Sequence, residues 1–187
     1  MTANRSADNL RDHFLIASPY LADPRFHGSV IYLCEHSSEG ALGLVLNRPL
    51  DIGLGEILEQ LGMDGKELDL PVFLGGPVQP ERGFVLHGPG SHWQSTSVIS
   101  EGVALTTSRD ILEDIGRGQG PQDFRVALGY SGWGEGQLEE ELASNSWLTC
   151  PAKTDLLFAT SWQDLYQTVL TDMGIDLNQL SESIGHA

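Results

Sequence analysis

Short apolar segments in this chain come in pairs, and the turns between them are too short to hold a helix. Residues 29–36 and 41–46 are rich in the residue types that favour strands, and only the polar turn 37–40 separates them. Parallel neighbours would need a crossover of a dozen or more residues. The pattern therefore predicts a mostly antiparallel sheet that begins with a hairpin.

The rest of the chain continues this alternation, with helices inserted singly between strands. Further strands are predicted at 13–18, 71–74, 83–86, 98–106 (as one strand or two), 124–130, 147–150 and 156–158. Apolar faces predict helices at 54–61, 107–115, 137–143 and 162–173, while 75–82 and 131–136 are predicted turns. This arrangement indicates an α+β fold with a strongly curved or barrel-like sheet. We expect one domain spanning 1–187, with a flexible N-terminal segment at 1–11 and a weak turn at 177–184.

The charge balance bears directly on possible partners. Ten Lys and Arg residues face 26 Asp and Glu residues, which gives a net charge of -16. From Val126 onward, one basic residue stands against nine acidic ones. Nucleic acids and anionic lipids require basic side chains gathered on one face, whereas here they are scattered. We therefore expect no measurable binding to duplex DNA at physiological salt, and no membrane contact.

Location and cofactor content are also constrained. The first ten residues are polar, and no window approaches the roughly 20 apolar residues of a membrane span. Cys34 and Cys150 have neither disulfide-framework nor zinc-site spacing, and His87 and His92 lie in a loop without fixed facing geometry. We expect a cytoplasmic protein with no cofactor and no metal.

The segment 128–142 (LGYSGWGEGQLEEEL) suggests two chemistries, and neither is favoured. A serine nucleophile elbow centred on Ser131 would need glycine where Trp133 stands. A phosphate at the glycine-rich turn would meet Glu135 and the acidic first turn of the following helix. A tight turn with a self-capped helix is the simpler interpretation, and no residue is predicted to be catalytic.

Three segments at predicted strand ends form the candidate ligand or partner site. Their residues are Asn47, Arg48, Gly75, Gly76, Pro77, Trp133, Gly136 and Gln137. We expect them to meet around one groove, with Arg48 as the cation, Trp133 as an apolar wall and Gln137 as a hydrogen-bonding group. The alternative, that they serve turn formation and packing, stays open.

Four blocks, GALGLVLNRPL, FLGGPV, LGYSGWGEGQLEEEL and NSWL, together with the opening DHFLIASPYLADPRFHGSVIYLCEH, resemble the AlgH/YqgE family of bacterial proteins. The resemblance covers nearly the whole chain. It implies a bent, bifurcated sheet closing into a pseudo-barrel, and a cytoplasmic protein often labelled a transcriptional regulator, without an established molecular function. The family positions carried over are Asn47, Arg48, Pro49, Gly75, Gly76, Pro77, Val78, Gly132, Trp133, Gly136, Gln137 and Leu138.

These observations favour a non-enzymatic binding or regulatory protein that acts indirectly on gene expression. The expected partner is an unidentified protein or a small carboxylate-bearing ligand, and the chain is expected to be a monomer or weak dimer. Two alternatives remain: a hydrolase-like enzyme using the groove near Arg48, Gly75–Gly76 and Trp133–Gln137, and a direct DNA-binding regulator, which the charge disfavours.

Overall fold

The computed structural model describes residues 9–19, 21 and 23–176, which form ten strands and five helices. The strands are β1 (His13–Ala17), β2 (Val30–Ser37), β3 (Gly40–Val45), β4 (Pro49–Gly53), β5 (Pro71–Leu74), β6 (Val78–His87), β7 (Thr96–Val98), β8 (Ala104–Thr106), β9 (Phe124–Trp133) and β10 (Trp147–Pro151). The helices are α1 (Leu54–Gln60), α2 (Asp110–Gly116), α3 (Gln137–Ala143), α4 (Thr154–Ala159) and α5 (Trp162–Asp172).

The strands form one strongly curled sheet, a half-barrel, in the order β10-β1-β2-β3-β9-β6-β8-β7. Off this path, β4 pairs with β5, and β5 pairs with β9 in parallel; the other strand pairs are antiparallel. The predicted α+β class with a mostly antiparallel, strongly bent sheet is therefore confirmed.

β9 joins the two halves of the sheet because it changes partners along its length. Its first half pairs with β6 and β5, and its last residues pair with β3. The change occurs at Gly129, whose φ of 75° is a conformation that favours glycine. At this point Gly75 donates its N–H to the Leu128 carbonyl over 2.8 Å, and a Cβ on Gly76 would overlap the Tyr130 backbone. The chain after β5 thus crosses β9 with the two backbones in direct contact.

Both faces of the sheet carry apolar side chains that pack against helices. In β1, Phe14 and Ile16 point into the concave side and pack with α5, whereas Leu15 and Ala17 belong to a cluster that includes Leu138 of α3. A third cluster joins α1 and α2 to β5, β6 and β9. Period-two alternation therefore sends successive side chains into two different cores, which explains why the strands read as nearly continuous apolar runs.

The predicted strand at 156–158 is wrong, because these residues belong to α4. Leucine, phenylalanine and alanine are compatible with a helix, and a three-residue apolar run has no period that distinguishes helix from strand. Leu157 is buried in the concave core, so tertiary packing decides the outcome.

The predicted turns at 75–82 and 131–136 are shorter than expected, since β6 begins at Val78 and β9 continues to Trp133. A register shift between Val78 and Gly83 lets β6 keep β9 as its partner on both sides of an irregular stretch. The sequence analysis also missed β4, which directly follows Arg48. Most of the predicted N-terminal segment 1–11 and all of the predicted turn at 177–184 lie outside the described residues.

His87 is a buried polar side chain on β6. Its Nδ1 lies 2.8 Å from the Gly88 carbonyl oxygen and therefore carries the proton, which leaves Nε2 to accept from the Thr106 hydroxyl at 2.7 Å. The edge of the ring faces Trp93 at a centroid distance of 5.2 Å. Burial lowers the pKa of His87, so the folded protein holds this side chain neutral.

This arrangement predicts a loss of stability in acid. The pKa of His87 is higher in the unfolded chain than in the folded protein, so as the pH falls the unfolded chain binds this proton first. The contribution of the neutral His87 to the free energy of unfolding is therefore complete above the unfolded pKa of about 6.5. It declines as the pH falls through that value toward the lower pKa of the folded state. In urea titrations, the free energy of unfolding should fall less steeply with acid in His87→Gln than in the wild type. Equal slopes in His87→Gln and wild type would contradict the assignment.

Candidate functional site

Asn47 and Arg48 hold the loop 23–29 against the sheet. Asn47 accepts the Val30 N–H with Oδ1 over 3.0 Å and donates Nδ2 to the Gly28 carbonyl over 2.9 Å. The Arg48 guanidinium donates to Ser29 Oγ over 3.0 Å and to the carbonyls of His27 and Pro24 over 2.8 and 3.2 Å. Burial lowers the pKa of Arg48. Both side chains are thus engaged in backbone recognition within the chain.

Pro77, Trp133 and Gln137 do meet in one groove, of about 230 Å³. Its other wall consists of the Arg48-held loop, through Asp23, Arg25 and Phe26, together with Trp147. Asn47, Arg48, Gly75 and Gly76 are not among the lining residues; Gly75 and Gly76 are buried at the β5–β9 crossing. Gly136, with φ of 75°, is the N-cap residue immediately before α3, and it does not line the groove either. Three of the eight predicted site residues therefore line one groove. Arg48, the predicted cation, instead lies behind the loop 23–29 that forms one wall of this groove.

Glu141 of α3 organises this small groove, and the sequence analysis did not identify it. Its carboxylate accepts the indole N–H groups of Trp133 and Trp147 over 3.1 and 2.8 Å and the Gln137 amide over 2.9 Å. The Gln137 oxygen in turn accepts the Gly134 N–H over 3.0 Å. Both the oxygen and the nitrogen of the Gln137 amide are thus engaged in hydrogen bonds, and the contacts around the groove attach α3 to the sheet.

A much larger cleft, about 1060 Å³, opens on the concave face of the half-barrel. Side chains from α4 and α5 pack into the same concave core that forms its floor. The apolar floor residues are Cys34, Leu42, Phe84, Ile99, Leu105 and Tyr130. Phe84 and Tyr130 meet edge to face, with ring centroids 5.8 Å apart. The aromatic surface that the cleft offers is therefore that of the half-buried Tyr130, which packs on the buried Phe84.

Two arginines border this cleft on the side of β6, β8 and β7. Arg11 donates to the Val98 carbonyl over 2.8 Å, and the Arg82 guanidinium lies 5.1 Å from the centroid of the Phe84 ring. Within the described residues, neither guanidinium has a carboxylate within 4.0 Å. Glu35 and Glu39 line the opposite side, on the β2–β3 hairpin. The cleft thus has a cationic side and an acidic side.

His36 ties the acidic side to two other elements. Its Nδ1 accepts the Leu10 N–H over 2.8 Å, so Nε2 carries the proton that it donates to Glu139 of α3 over 2.7 Å. This hydrogen bond lowers the pKa of Glu139. The imidazole is 5% exposed and therefore serves as a fixed link between β2, α3 and the segment before β1.

The candidate nucleophiles are buried and hydrogen-bonded or protonated. Ser131 donates its hydroxyl to the Gly75 carbonyl over 3.1 Å, and burial raises the pKa of the Cys34 thiol. In residues 9–19, 21 and 23–176, no three His, Cys, Asp or Glu side chains lie close enough together to bind a metal ion. No helix in that part of the chain is long and apolar enough to cross a bilayer.

Phe84 and Tyr130 fell within predicted strands and were given no role in a site, whereas Arg82 was missed because the predicted strand began at Gly83. Extending that strand back by one residue puts Arg82 and Phe84 on the same face by period-two alternation. The contact between Arg11 and β7 joins residues 87 positions apart, so no local pattern could have indicated it.

The Arg48 geometry generates a stability prediction. Arg48→Ala removes three hydrogen bonds, one of them to the hydroxyl of the buried Ser29, so the free energy of unfolding should fall by about 1–3 kcal/mol. Arg25→Ala on the same loop removes a solvent-accessible ion pair with Asp23 and a contact with the Phe26 ring, and should change it by less than about 1 kcal/mol. Urea unfolding of both variants tests this. An unchanged stability in Arg48→Ala would show that the loop does not depend on the guanidinium.

Comparison with known proteins identifies the family of this chain. The profile described as AlgH-like matches residues 14–178. The chain is 50% identical over 182 residues to a UPF0301 protein of Hahella chejuensis, covering 97% of this chain and 98% of that relative. It is also 50% identical over 184 residues to one of Thioalkalivibrio sulfidiphilus, covering 97% and 99%.

Two solved structures share the fold. The solution structure of the AlgH protein from Pseudomonas aeruginosa matches with a TM-score of 0.77 and 44% identity, over 93% of this chain and 94% of that one. A Corynebacterium diphtheriae protein shares the fold at 19% identity, with a TM-score of 0.64 over 78% of each chain. The architecture, the blocks that build the β5–β9 crossing and these full-length relatives agree: this chain belongs to the AlgH-like (UPF0301) family.

Proposed function

We propose that this chain is a binding protein whose concave cleft takes a carboxylate-bearing ligand with an apolar part. One observation carries the proposal: Arg11 and Arg82 stand without a described carboxylate partner at a cleft whose floor contains the half-buried Tyr130 packed on the buried Phe84. In a chain of net charge -16, two such guanidinium groups at one cleft are the feature most suited to an anion.

The two arginines differ in what they can offer. Arg82 is exposed and makes only a ring contact with Phe84, so its planar fork of donors is open to a carboxylate. Arg11 already uses one Nη2 donor on Val98 and retains others. Arg82 is therefore the anchoring cation in this proposal, and Arg11 supports it electrostatically.

The floor and the volume set the size of the ligand. Phe84 and Tyr130 provide apolar contact beside Arg82, and the Ser97 and Thr107 residues add hydroxyl groups to the lining. A volume of about 1060 Å³ lies at the upper end of the range typical of ligand sites. A short peptide with an acidic group fits these dimensions better than a single small metabolite.

A binding function is favoured over catalysis and over direct DNA binding because the candidate nucleophiles are buried and Arg48 is engaged in hydrogen bonds within the chain. Ser131 and Cys34 are buried, and Arg48 is hydrogen-bonded to the loop that it holds. The acidity of the chain disfavours contact with phosphate backbones. We therefore propose that any effect on gene expression proceeds through a bound ligand or partner rather than through DNA.

The test compares two probes that differ only in charge. N-acetyl-L-phenylalanine carries a carboxylate, and N-acetyl-L-phenylalaninamide carries a neutral amide in its place. In NMR titrations, the acid should shift the backbone amides of Arg82, Phe84 and Leu105 and bind at least about fivefold more tightly than the amide, the size expected of a charge-assisted hydrogen bond of about 1 kcal/mol or more.

Arg82→Gln should remove the preference for the acid, while Arg25→Gln, an exposed arginine outside the cleft, should retain it. Equal binding of the two probes to the wild type, or shifts confined to the groove at Trp147, would contradict the proposal.

A further inference from the structure

β7 is the last strand on one side of the sheet and pairs, among the described strands, with β8 alone. The ladder shows which of its backbone groups are used. Thr107 donates its N–H to the Ser95 carbonyl over 3.1 Å, and Ile99 donates its N–H to the Val103 carbonyl over 2.9 Å. Because antiparallel ladders alternate, residues 95, 97 and 99 face β8, and Thr96 and Val98 face away from it.

The outward edge of β7 borders the cleft. Ser95, Thr96, Ser97 and Ile99 line it on one side, and the β2–β3 hairpin lines it on the other. Arg11 donates to the Val98 carbonyl from the cleft side, which independently confirms that Val98 presents its backbone outward. Beside that carbonyl, the edge offers the N–H and C=O of Thr96 and the N–H of Val98.

The side chains of β7 do not block its outward edge. The strand reads Thr-Ser-Val and carries no lysine, proline or inward-pointing charge, the residues that commonly block an edge. Val98 is 50% exposed, the highest value among the exposed large apolar residues of the described chain. The N–H groups of Thr96 and Val98 point away from β8, and Arg11 occupies the Val98 carbonyl.

We infer that the cleft binds an extended acidic segment of a partner protein, which adds to the free edge of β7 as a further strand of the half-barrel. The inference rests on the proposed function and specifies its ligand class. Main-chain hydrogen bonds to Thr96 and Val98 would fix the direction of the segment, and Arg82 would pair with one of its carboxylates.

Charge decides between the two sources of such a strand. A second copy of this chain would bring another net charge of -16 to the same face, and its β7 contains no acidic residue for Arg82. An acidic segment on a partner of lower net charge satisfies the arginine without that repulsion. The occupant is therefore a different protein, recognised through an extended acidic stretch.

The test uses the full chain and the peptide acetyl-Val-Glu-Val-Glu-Val-amide. A matched peptide, N-methylated at its three central residues, keeps the side chains and charge but cannot form a strand ladder. We expect the unmethylated peptide to bind at least tenfold more tightly. Its binding should slow amide hydrogen exchange at Thr96 and Val98, whose N–H groups face outward, with little change at Ser97 and Ile99.

Val98→Pro is the matched variant of the protein. It removes one outward N–H, keeps the carbonyl that Arg11 uses, and spares the ladder to β8, so an edge proline is tolerated. Peptide affinity should fall at least tenfold, while N-acetyl-L-phenylalanine should bind as in the wild type. The exchange measurement on the wild type keeps the proposal testable if this variant fails to fold.

Three outcomes would overturn the inference. Equal affinity for both peptides would mean that charge alone binds them, and unchanged exchange at Thr96 and Val98 would place the peptide elsewhere. Concentration-dependent dimerisation that Val98→Pro abolishes would assign the edge to a second copy. In each case, if the wild type still binds N-acetyl-L-phenylalanine, the proposed function stands and only the strand pairing is refuted. If the wild type does not bind N-acetyl-L-phenylalanine, the proposed function and the strand pairing are both refuted.

Discussion

The architecture depends on one backbone crossing, where the chain leaving β5 passes β9. β9 shares hydrogen bonds with β3, β5 and β6, and it can do so only because it turns at Gly129 and meets no side chain at Gly76. Gly75 completes the junction: its N–H binds the Leu128 carbonyl, and its carbonyl accepts the Val45 N–H and the Ser131 hydroxyl. The crossing joins the two halves of the sheet at a fixed angle and so creates the concave face.

The motifs that identify the family and the proposed binding cleft lie at different places on this scaffold. Arg48 holds a loop, the glycines form the crossing, and Glu141 attaches α3 to the sheet through two tryptophans. The concave face carries an apolar floor, two arginines that have no described carboxylate partner, and the outward edge of β7. The cleft therefore follows from how the sheet curls, while the residues that we propose for binding come from distant parts of the chain.

Much of the fold could be predicted from the sequence, and the candidate site only in part. The hairpin of β2 and β3, the helices α1, α2, α3 and α5 and the mostly antiparallel pairing follow from periodicity and turn length. The expectation that helices are inserted singly is wrong for α4 and α5, which follow one another without a strand between them. α4 could not be predicted, because its apolar run is too short to show a period. The residues that we propose for binding depend on the extension of β6 to positions before Gly83 and on the long-range contact between Arg11 and β7, and no local signal indicates either of these.

The most direct test of the crossing is the free energy of unfolding of Gly76→Ala. Gly76 does not have a positive φ, so without the crossing alanine would stabilise the chain by about 0.4–1 kcal/mol. With the crossing in place, the new methyl group overlaps the Tyr130 backbone, and the free energy of unfolding should fall by about 1–3 kcal/mol or more. Gly134→Ala, whose methyl would come no closer than 4.0 Å to the Gln137 side chain, is the control. Marked destabilisation of Gly76→Ala alone is the predicted result; a Gly76→Ala protein as stable as the control or the wild type would contradict the account.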